Sequence, residues 1–430
     1  MNAKKIIAVG LTALSLVGLA SCGEEKQKSY SGVNTEINIW ATAKEEAVIK
    51  KIVDKYNAAQ TDETAKFNYK FTAVAEGDAG TTLAKDPTVA GAPALFLCAD
   101  DHISGLANLD IVLNLGNSSY AQNIKANSTS VSVLGATQNN NLYGFPVTSD
   151  NGFFLWYNAS KLTSADVADL GTLLAKAKSL NKKVLMDVPN GWYVSAFFAS
   201  PEICGAESLK FKTNSDGKIV YDCSWDSEKG VTVAEGVSNI LKPYYEDGTL
   251  VIGSNEVIEA GFQDGSMLAA VSGTWMESSL KEKIGDDTLA ATKLPKFKVG
   301  DTSYQMGSFT GSKIYAINKT RPAAEQKAAA ALAELLTNKE SQLVRFEERQ
   351  SIPCNKEAIK DARYTEHVSI GAKALEEQNA FAAVQSQSAE GRYWDIGKAI
   401  GQALIDGKLG EYTTWKDFME YQIGILKKAA

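Results

Sequence analysis

Histidine is scarce in this sequence of 430 residues, which has only His102 and His367. A Ser/His/Asp triad or a histidine-rich metal site therefore has little to draw on. The sequence also lacks the patterns of the phosphate-binding loop, of HExxH and GxSxG enzymes and of EF-hand calcium loops. Carboxylates are abundant, so composition leaves a glycosidase pair open, although no neighbouring residues mark such a pair.

An excess of positive charge is also lacking. The 44 basic residues are outnumbered by 51 acidic ones, which gives a net charge of −7. This balance argues against nucleic acid as a partner and against a basic surface for membranes. Beyond the first 21 residues, no stretch is apolar enough to span a bilayer.

The N-terminus has the pattern of an export signal. Lys4 and Lys5 precede the apolar run Ile6–Leu19, which is typical of a signal peptide over residues 1–21. The run ends in LASC, which resembles the lipobox of bacterial lipoproteins and implies cleavage before Cys22 and acylation of that residue. The alternative is an ordinary signal peptide with an incidental cysteine. Residues 22–35 are polar and charged, and we expect a flexible lipidated tether there.

Four further cysteines can be oxidised in an exported chain. Cys204 and Cys223 flank Asn214–Gly217, a sequence typical of a hairpin turn, so we expect a disulfide between them. Cys98 and Cys354 follow apolar or proline-marked stretches and are expected to be buried thiols.

Strands and helices alternate along the first part of the mature chain. Glu36–Ala41 is predicted as a strand, and an amphipathic helix follows from Lys44. Residues 67–73 alternate as a strand does, and Pro93–Cys98 is a short buried strand before the helix Asp100–Leu109. This alternation predicts a mostly parallel sheet covered by helices.

The same alternation then begins again, and about 395 residues after the tether are enough for two domains. Beyond Pro353 we expect helices only. The predicted elements of this second part are Phe153–Tyr157 (strand), Ala165–Leu180 (helix), Lys183–Val188 (strand), Glu228–Tyr245 and Glu256–Asp264 (helices), Met267–Val271 and Ser312–Ile317 (strands), and Pro322–Leu336, Arg392–Ile405 and Thr414–Lys427 (helices).

The stretch YGFPVTSDNGFFLWYN joins the two parts. Its apolar half, Phe153–Tyr157, has the length and density of a core strand. Its polar half, Pro146–Gly152, suits a segment that crosses between two domains. Ser149, Asp150 and Asn151 are therefore expected to face a pocket between them.

Three aromatic and polar clusters lie at the ends of predicted elements. Trp192 and Tyr193 follow one strand, Trp275 follows another, and Tyr393 and Trp394 open a helix. Ligands of open α/β sheets bind beyond the carboxyl ends of the strands. Aromatic faces beside hydrogen-bonding groups suit a sugar, whose C–H faces stack on rings. Packing in the core is the alternative for each tryptophan.

Together these features resemble the solute-binding lipoproteins of ABC sugar importers, of the maltose/maltodextrin-binding type. The motifs of the resemblance span most of the mature chain. They are Ala94–Gly105 (ALFLCADDHISG), Gly144–Asn158, Phe262–Trp275 (FQDGSMLAAVSGTW), Gly307–Asn318 (GSFTGSKIYAIN) and Arg392–Ile400 (RYWDIGKAI).

The resemblance implies a two-lobed α/β fold of the periplasmic-binding-protein kind, with lobes that close on ligand by hinge bending. Lobe 1 would comprise residues 36–148 and 312–355, and lobe 2 residues 149–311 and 356–430. Crossing segments are expected near 146–150, 306–312 and 353–357.

The resemblance also assigns ligand-binding residues. Asp101 corresponds to an acceptor of a sugar hydroxyl, and Asp150 to a carboxylate on the cleft floor. Tyr193, Trp275 and Tyr393 correspond to stacking aromatics, and Trp394 replaces Tyr393 if that helix is shifted by one residue. Glu45 and Trp192 complete the candidate residues.

Three departures from the maltodextrin type leave the exact sugar and the number of glucose subsites open. Cys98 stands where the type has a stacking aromatic, His102 where it has arginine, and Gly191 where it has a carboxylate.

The expected function is capture of a maltodextrin-like oligosaccharide for import, without covalent chemistry and without a cofactor. The expected partners are the subunits of an ABC permease and the membrane that holds the lipid, and the protein is expected to be a monomer. A binder of another oligosaccharide or an amino sugar on the same scaffold is the first alternative. A surface glycan hydrolase and a glycan adhesin are the others.

Overall fold

The computed structural model describes residues 28–205, 208–214, 218–389 and 391–428. The predicted signal peptide and Cys22 lie outside the described residues. Two five-stranded sheets form the framework, and helices cover both. This is the mixed α/β architecture that the alternation of elements predicts.

The strands are named in chain order. They are β1 (Glu36–Ala41), β2 (Asn68–Ala73), β3 (Leu95–Ala99), β4 (Thr137–Gln138), β5 (Asn141–Leu142), β6 (Gly144–Pro146), β7 (Phe154–Asn158), β8 (Lys183–Leu185), β9 (Leu209–Thr213), β10 (Ile219–Cys223), β11 (Leu250–Val251), β12 (Met267–Ser272), β13 (Leu289–Thr292), β14 (Lys296–Val299), β15 (Thr302–Gln305), β16 (Ser308–Thr310), β17 (Lys313–Ile317) and β18 (Ala382–Val384).

The helices are named in the same way. They are α1 (Glu46–Ala58), α2 (Glu76–Lys85), α3 (Asp101–Asn108), α4 (Ser119–Asn127), α5 (Ser130–Gly135), α6 (Leu170–Ser179), α7 (Gly191–Val194), α8 (Glu228–Glu246), α9 (Asn255–Gln263), α10 (Glu277–Ile284), α11 (Ala323–Thr337), α12 (Lys339–Arg349), α13 (Ala362–Thr365), α14 (Ile370–Gln378), α15 (Gln385–Ser388), α16 (Tyr393–Asp406) and α17 (Trp415–Lys427).

The first sheet has the order β2-β1-β3-β17-β6. β2, β1 and β3 are parallel, whereas β17 runs antiparallel to both of its neighbours, β3 and β6. Four strands therefore point one way and one points the other. β3 reads as a continuous apolar run because it is central and covered on both faces.

The second sheet has the order β11-β8-β12-β7-β13. Here β11, β8 and β12 are parallel, and β7 is antiparallel to β12 and β13. The predicted core strand is confirmed, since Phe153, Phe154, Leu155 and Trp156 are all buried. The same arrangement of one reversed strand thus occurs in both sheets.

The chain passes between the two sheets in three adjacent segments. The first joins β6 to β7, the second joins β16 to β17, and the third follows α12. Main-chain hydrogen bonds hold the segments side by side: Ser149 N donates to Ile352 O at 2.9 Å, and Asn151 N donates to Gly311 O at 3.3 Å. The polar residues of the first segment consequently lie between the two halves of the molecule.

Helix α1 buries the apolar face that its sequence predicts. Val48, Ile49, Ile52, Val53 and Tyr56 are buried, as the spacing predicts for one face of an amphipathic helix. Such a face is decided by residues close together in the chain.

Two expected elements differ from the structure. The helix predicted from Ala165 begins only at Leu170, because the side chain of Asp169 accepts a hydrogen bond from Thr172 N at 3.0 Å and caps the helix there. The region beyond Pro353 is not purely helical, since β18 pairs in parallel with β16.

The expectation of a flexible tether over residues 22–35 is wrong for the last part of that segment. Tyr30 packs against Tyr56 and Phe67 with ring centroids 5.9 and 5.5 Å apart, and its hydroxyl donates to Glu334 at 2.9 Å. Val33 is also buried. These apolar side chains fasten the segment before β1 onto the first half of the molecule.

In the part of the chain that the structure describes, no helix has both the length and the apolar character needed to cross a membrane.

Candidate ligand-binding site

The loop after β3 brings two carboxylates to the start of α3. Asp100 is fully buried, and its Oδ2 accepts a hydrogen bond from Ser312 N at 3.1 Å. Burial, and then the charge of Asp101, raise the pKa of Asp100 well above its ordinary value. Asp100 is therefore an interior group that joins β3 to the second crossing segment.

Asp101 has a carboxylate oxygen that could accept a hydrogen bond from a ligand. Its Oδ1 is buried and has no hydrogen-bond partner among the described residues. Burial raises the pKa of Asp101, while nearby His102 and a side-chain hydrogen bond from Gln385 oppose the rise. A buried acceptor without a partner is costly, so a ligand hydroxyl would be a favourable partner here.

Asp150 lies in the first crossing segment, between the two halves. The Thr148 hydroxyl donates to its Oδ1 at 2.6 Å, and Lys313 Nζ lies 4.0 Å from the same atom. The carboxylate is buried and already has these partners. The next residue, Asn151, is only partly buried and donates from Nδ2 to Gln385 Oε1 at 3.1 Å.

Trp192 and Tyr193 are presented together by the short helix α7. The helix begins after Asn190, whose side chain accepts from Trp192 N at 2.9 Å. Phe153 supports both rings, with centroids 5.7 Å from Trp192 and 5.0 Å from Tyr193. Burial raises the pKa of Tyr193 to about 12, and a hydrogen bond with Ser272 partly offsets this.

Trp275 is the most exposed of the predicted aromatics, with 45% of its surface accessible. Its Nε1 donates to Asn255 Oδ1 at 3.4 Å, and Ser272 Oγ donates to the same oxygen at 3.4 Å. Gly273 makes room for the indole, because a Cβ there would lie 2.0 Å from the ring.

The assignment of Tyr393 as a stacking aromatic is wrong. Tyr393 is fully buried, its ring meets those of Trp225 and Phe309, and its hydroxyl donates to Gly191 O at 2.7 Å. Trp394, one residue later on α16, is only partly buried. The alternative, in which Trp394 replaces Tyr393 as the stacking aromatic, therefore agrees better with the structure.

The assignment of Glu45 to the ligand is also wrong. Its carboxylate is buried, with 1% of the side chain accessible, and Arg345 Nε lies 3.1 Å from Oε2. Arg349 pairs with Oε1, and the Tyr315 hydroxyl donates to Oε2 at 3.4 Å. The carboxylate is thus occupied by partners of its own chain, because two guanidinium groups face it in the interior.

The expected disulfide is not formed in the structure, where Cys204 and Cys223 are free thiols. The hairpin itself is present, but the strand partner of Cys223 is Leu209, because Cys204 lies outside β9. Cys98 and Cys354 are buried thiols, as expected, and burial raises the pKa of Cys354 to about 12.

Sequence reasoning missed three residues at this site. Phe309 is buried beneath Trp192 and Trp394, with centroid distances of 5.6 and 6.5 Å. Asn255 accepts hydrogen bonds from both Trp275 and Ser272, and Gln385 accepts one from Asn151. Phe309 lies within one of the family motifs, but no sequence pattern marks the other two.

The described residues contain no group of three or more His, Cys, Asp or Glu arranged to hold a metal ion. A cavity of about 380 Å³ lies elsewhere, between α4 and α11, and is lined by Tyr120 and Glu334 among others. None of the predicted ligand-binding residues lines it.

Residues 51–372 match the sequence profile of a family described as bacterial extracellular solute-binding protein. A search of curated protein sequences gave no match.

Solved structures of the same two-lobed fold cover nearly the whole chain. A maltodextrin-binding protein from L. casei is 21% identical with a TM-score of 0.75, over 92% of this chain and 100% of that one. A Thermus thermophilus maltotriose-binding protein bound with maltotriose is 16% identical with a TM-score of 0.67, over 91% and 99%. A Staphylococcus aureus extracellular solute-binding protein in complex with maltose is 18% identical with a TM-score of 0.66, over 91% and 96%. At these identities the likeness establishes the fold.

Proposed function

The chain belongs to the family of bacterial extracellular solute-binding proteins, and from that premise we propose that it captures a maltodextrin-like oligosaccharide for import by an ABC permease. The ligand would bind between the two halves of the molecule. Asp101 and Asn151 would meet hydroxyl groups, and Trp275, Tyr193 and Trp394 would meet the apolar faces of sugar rings.

The proposal rests on Asp101, which follows β3 of the first sheet, and Trp275, which follows β12 of the second. Asp101 offers a buried carboxylate oxygen without a partner among the described residues, and Trp275 exposes 45% of an aromatic side chain. A sugar has hydroxyls for the first and C–H faces for the second. The solved structures of maltose- and maltotriose-bound proteins with the same fold add support.

The decisive experiment is a calorimetric screen of the mature protein. Maltose, maltotriose and longer maltodextrins should bind, whereas cellobiose and xylobiose, whose linkages are β, should bind at least tenfold more weakly. If the protein instead prefers a β-linked sugar or an amino sugar, the maltodextrin proposal is wrong and the preferred sugar is the ligand. Recovery of the intact sugar after prolonged incubation would separate a binding protein from a hydrolase.

We further propose that the protein is held at the outer face of the membrane by lipid on Cys22. The LASC sequence and the charged residues after it support this. The variant Cys22→Ala should bind sugar normally but leave the membrane fraction, and a variant that stays with membranes after a high-salt wash would contradict lipid anchoring. Deleting the protein should abolish uptake of the sugar if it serves a permease, whereas an adhesin would leave uptake unchanged.

A further inference from the structure

The cavity of about 380 Å³ between α4 and α11 lies apart from the residues that we assign to the oligosaccharide, because none of them lines it. Its volume is at the lower end of the roughly 300–1,000 Å³ that is usual for pockets that hold small molecules. Pro146, where the first crossing segment begins, and Asn355, in the third, both line it. The function proposed above gives this cavity no role.

The charges around the cavity balance one another. Among the described residues, four charged side chains line it, and each has a partner of opposite charge within the protein. The ion pairs are Lys28–Glu334 at 2.6 Å, Lys339–Asp361 at 3.0 Å and Lys360–Glu357 at 2.9 Å. Because opposite charges this close largely cancel at a distance, the cavity offers little net attraction to an ion of either sign. Its lining therefore suits a neutral ligand.

Two asparagines of the lining have amide donors to spare. Asn338 caps α12, since its Oδ1 accepts from Ser341 N at 2.9 Å. Asn355 is 8% exposed, and its Oδ1 accepts from Glu357 N at 2.9 Å and from Ala358 N at 3.2 Å. The Nδ2 groups of both have no hydrogen-bond partner among the described residues. The capping bonds fix the two amides, so their N–H groups are available to acceptor oxygens of a ligand.

Tyr120 adds an aromatic ring and a hydroxyl to the same cavity. It is partly buried, and its ring meets that of Phe145 edge-on, with centroids 5.7 Å apart. Its hydroxyl has no hydrogen-bond partner among the described residues. Apolar surface thus lies beside unused amide donors. A sugar satisfies both, because its C–H faces suit an apolar wall and its oxygens accept from N–H groups.

Glu334 on α11 holds the walls of the cavity together. Its carboxylate accepts from Lys28 Nζ at 2.6 Å and from the Tyr30 hydroxyl at 2.9 Å, both in the segment before β1. It also accepts from Asn123 Nδ2 on α4 at 2.9 Å. Three parts of the chain are therefore joined at one side chain, so the cavity is formed before any ligand arrives. A preformed site avoids the free energy that ordering its walls would cost.

We propose that this cavity is a second binding site, which takes a neutral mono- or disaccharide. The amides of Asn338 and Asn355 donate to oxygens of the sugar, and the ring of Tyr120 lies against its C–H groups. The inference does not rest on the proposed function, because it uses the lining of this cavity and none of the residues assigned to the oligosaccharide.

The experiment follows both sites in amide NMR spectra of the mature protein during titrations with glucose and with maltose. Signals of Ser128 and Asn355 report on the cavity, and signals of Ser272 and Gly273 report on the site proposed above. The cavity signals should shift with both sugars, and with a midpoint that differs from that of the other set.

Asn338→Ser and Asn355→Ser remove the free amide donors and keep an oxygen that can cap. Each should weaken binding at the cavity by about three- to tenfold, which is the loss of one hydrogen bond, and should leave the other midpoint unchanged. The matched control is Asn114→Ser, because Asn114 also accepts from a main-chain group, Gly116 N at 2.8 Å, but lies outside the cavity. It should change neither midpoint.

Glucosamine and glucuronate test the charge of the ligand. Both should bind at the cavity more weakly than glucose, and tighter binding of either would overturn the assignment to a neutral sugar. Cavity signals that stay still with glucose and maltose, that move only with the midpoint of the other set, or that respond equally in the wild type and both serine variants would overturn the second site. A response at the cavity without one at Ser272 and Gly273 would instead contradict the proposed function alone.

Discussion

The phenol hydroxyl of Tyr393 donates a hydrogen bond of 2.7 Å to the main-chain carbonyl oxygen of Gly191. The bond joins the first residue of α16 to the first residue of α7, the helix that carries Trp192 and Tyr193. Tyr393 is fully buried in this position, while Trp394 remains partly accessible. Tyr393 thus positions other aromatic residues and does not itself face a ligand.

Tyr393→Phe should lower the free energy of unfolding by about 1–3 kcal/mol, because it leaves the buried Gly191 carbonyl without its donor. Sugar affinity should change less than threefold, since the ring and its packing remain. Urea unfolding and calorimetry measure the two effects. The control is Tyr421→Phe, where the ring is 49% exposed and stability should not change. A large loss of affinity at normal stability would instead make Tyr393 a ligand residue.

Glu45→Gln should destabilise the fold by about 3–5 kcal/mol, because it leaves the buried Arg345 and the nearby Arg349 without their carboxylate. Thermal and urea unfolding check this. Glu46→Gln, one residue later and exposed, is the matched control and should have little effect. If Glu45→Gln instead unfolded normally and lost sugar binding, the original assignment of Glu45 to the ligand would be restored.

Asp100 should make stability depend on pH. Its folded pKa is raised well above the ordinary value of 3.8, so the folded protein holds a proton that the unfolded chain releases. Stability should therefore fall as the pH rises from about 4 towards the raised pKa, because over this range the folded state binds more protons than the unfolded state. Asp100→Asn should remove this slope and should be more stable than the wild type near neutral pH.

Urea midpoints from pH 4 to pH 8 measure the slope. The exposed residue Asp301 provides the control Asp301→Asn, which should retain the slope of the wild type. Equal slopes in the wild type and Asp100→Asn would show that Asp100 is ionised in the folded protein.

The parts of the fold that sequence could predict depend on neighbours in the chain. The buried face of α1 follows from spacing within 13 residues, and β3 and β7 follow from short apolar runs. The order of elements then gives the α/β class. Helix α6 begins at Leu170 and not at the predicted Ala165, because the capping by Asp169 outweighs the helical pattern before it.

The errors at the site come from contacts between distant parts of the chain. A carboxylate at the start of a helix looks the same whether it meets a sugar or Arg345, which lies 300 residues away in sequence. Adjacent aromatics on α16 point in different directions, and only the contact with α7 decides which is buried. Gln385 lies in a polar stretch without a pattern, so its hydrogen bond with Asn151 could not be inferred.

Trp275→Ala is the sharpest test of the proposed site. The indole is 45% exposed, and its one hydrogen bond to a described residue is a long one of 3.4 Å to Asn255, so it adds little to the core. Loss of a stacking face should weaken maltotriose binding by about 2–4 kcal/mol, which is roughly thirty- to a thousandfold. Stability without sugar should change little, and the rise in melting temperature on adding maltotriose should largely vanish.

Two further variants separate stacking from general damage. Gly273→Ala keeps the indole but adds a methyl group 2.0 Å from its ring, so the ring must move and affinity should fall in the same direction. Tyr421→Ala removes an aromatic side chain of similar exposure on α17 and should leave affinity unchanged. If Trp275 belonged to the core, its truncation would cost about 3–5 kcal/mol of stability. A destabilised Trp275→Ala with near-normal affinity would therefore exclude stacking, because the lost free energy would then come from packing within the protein.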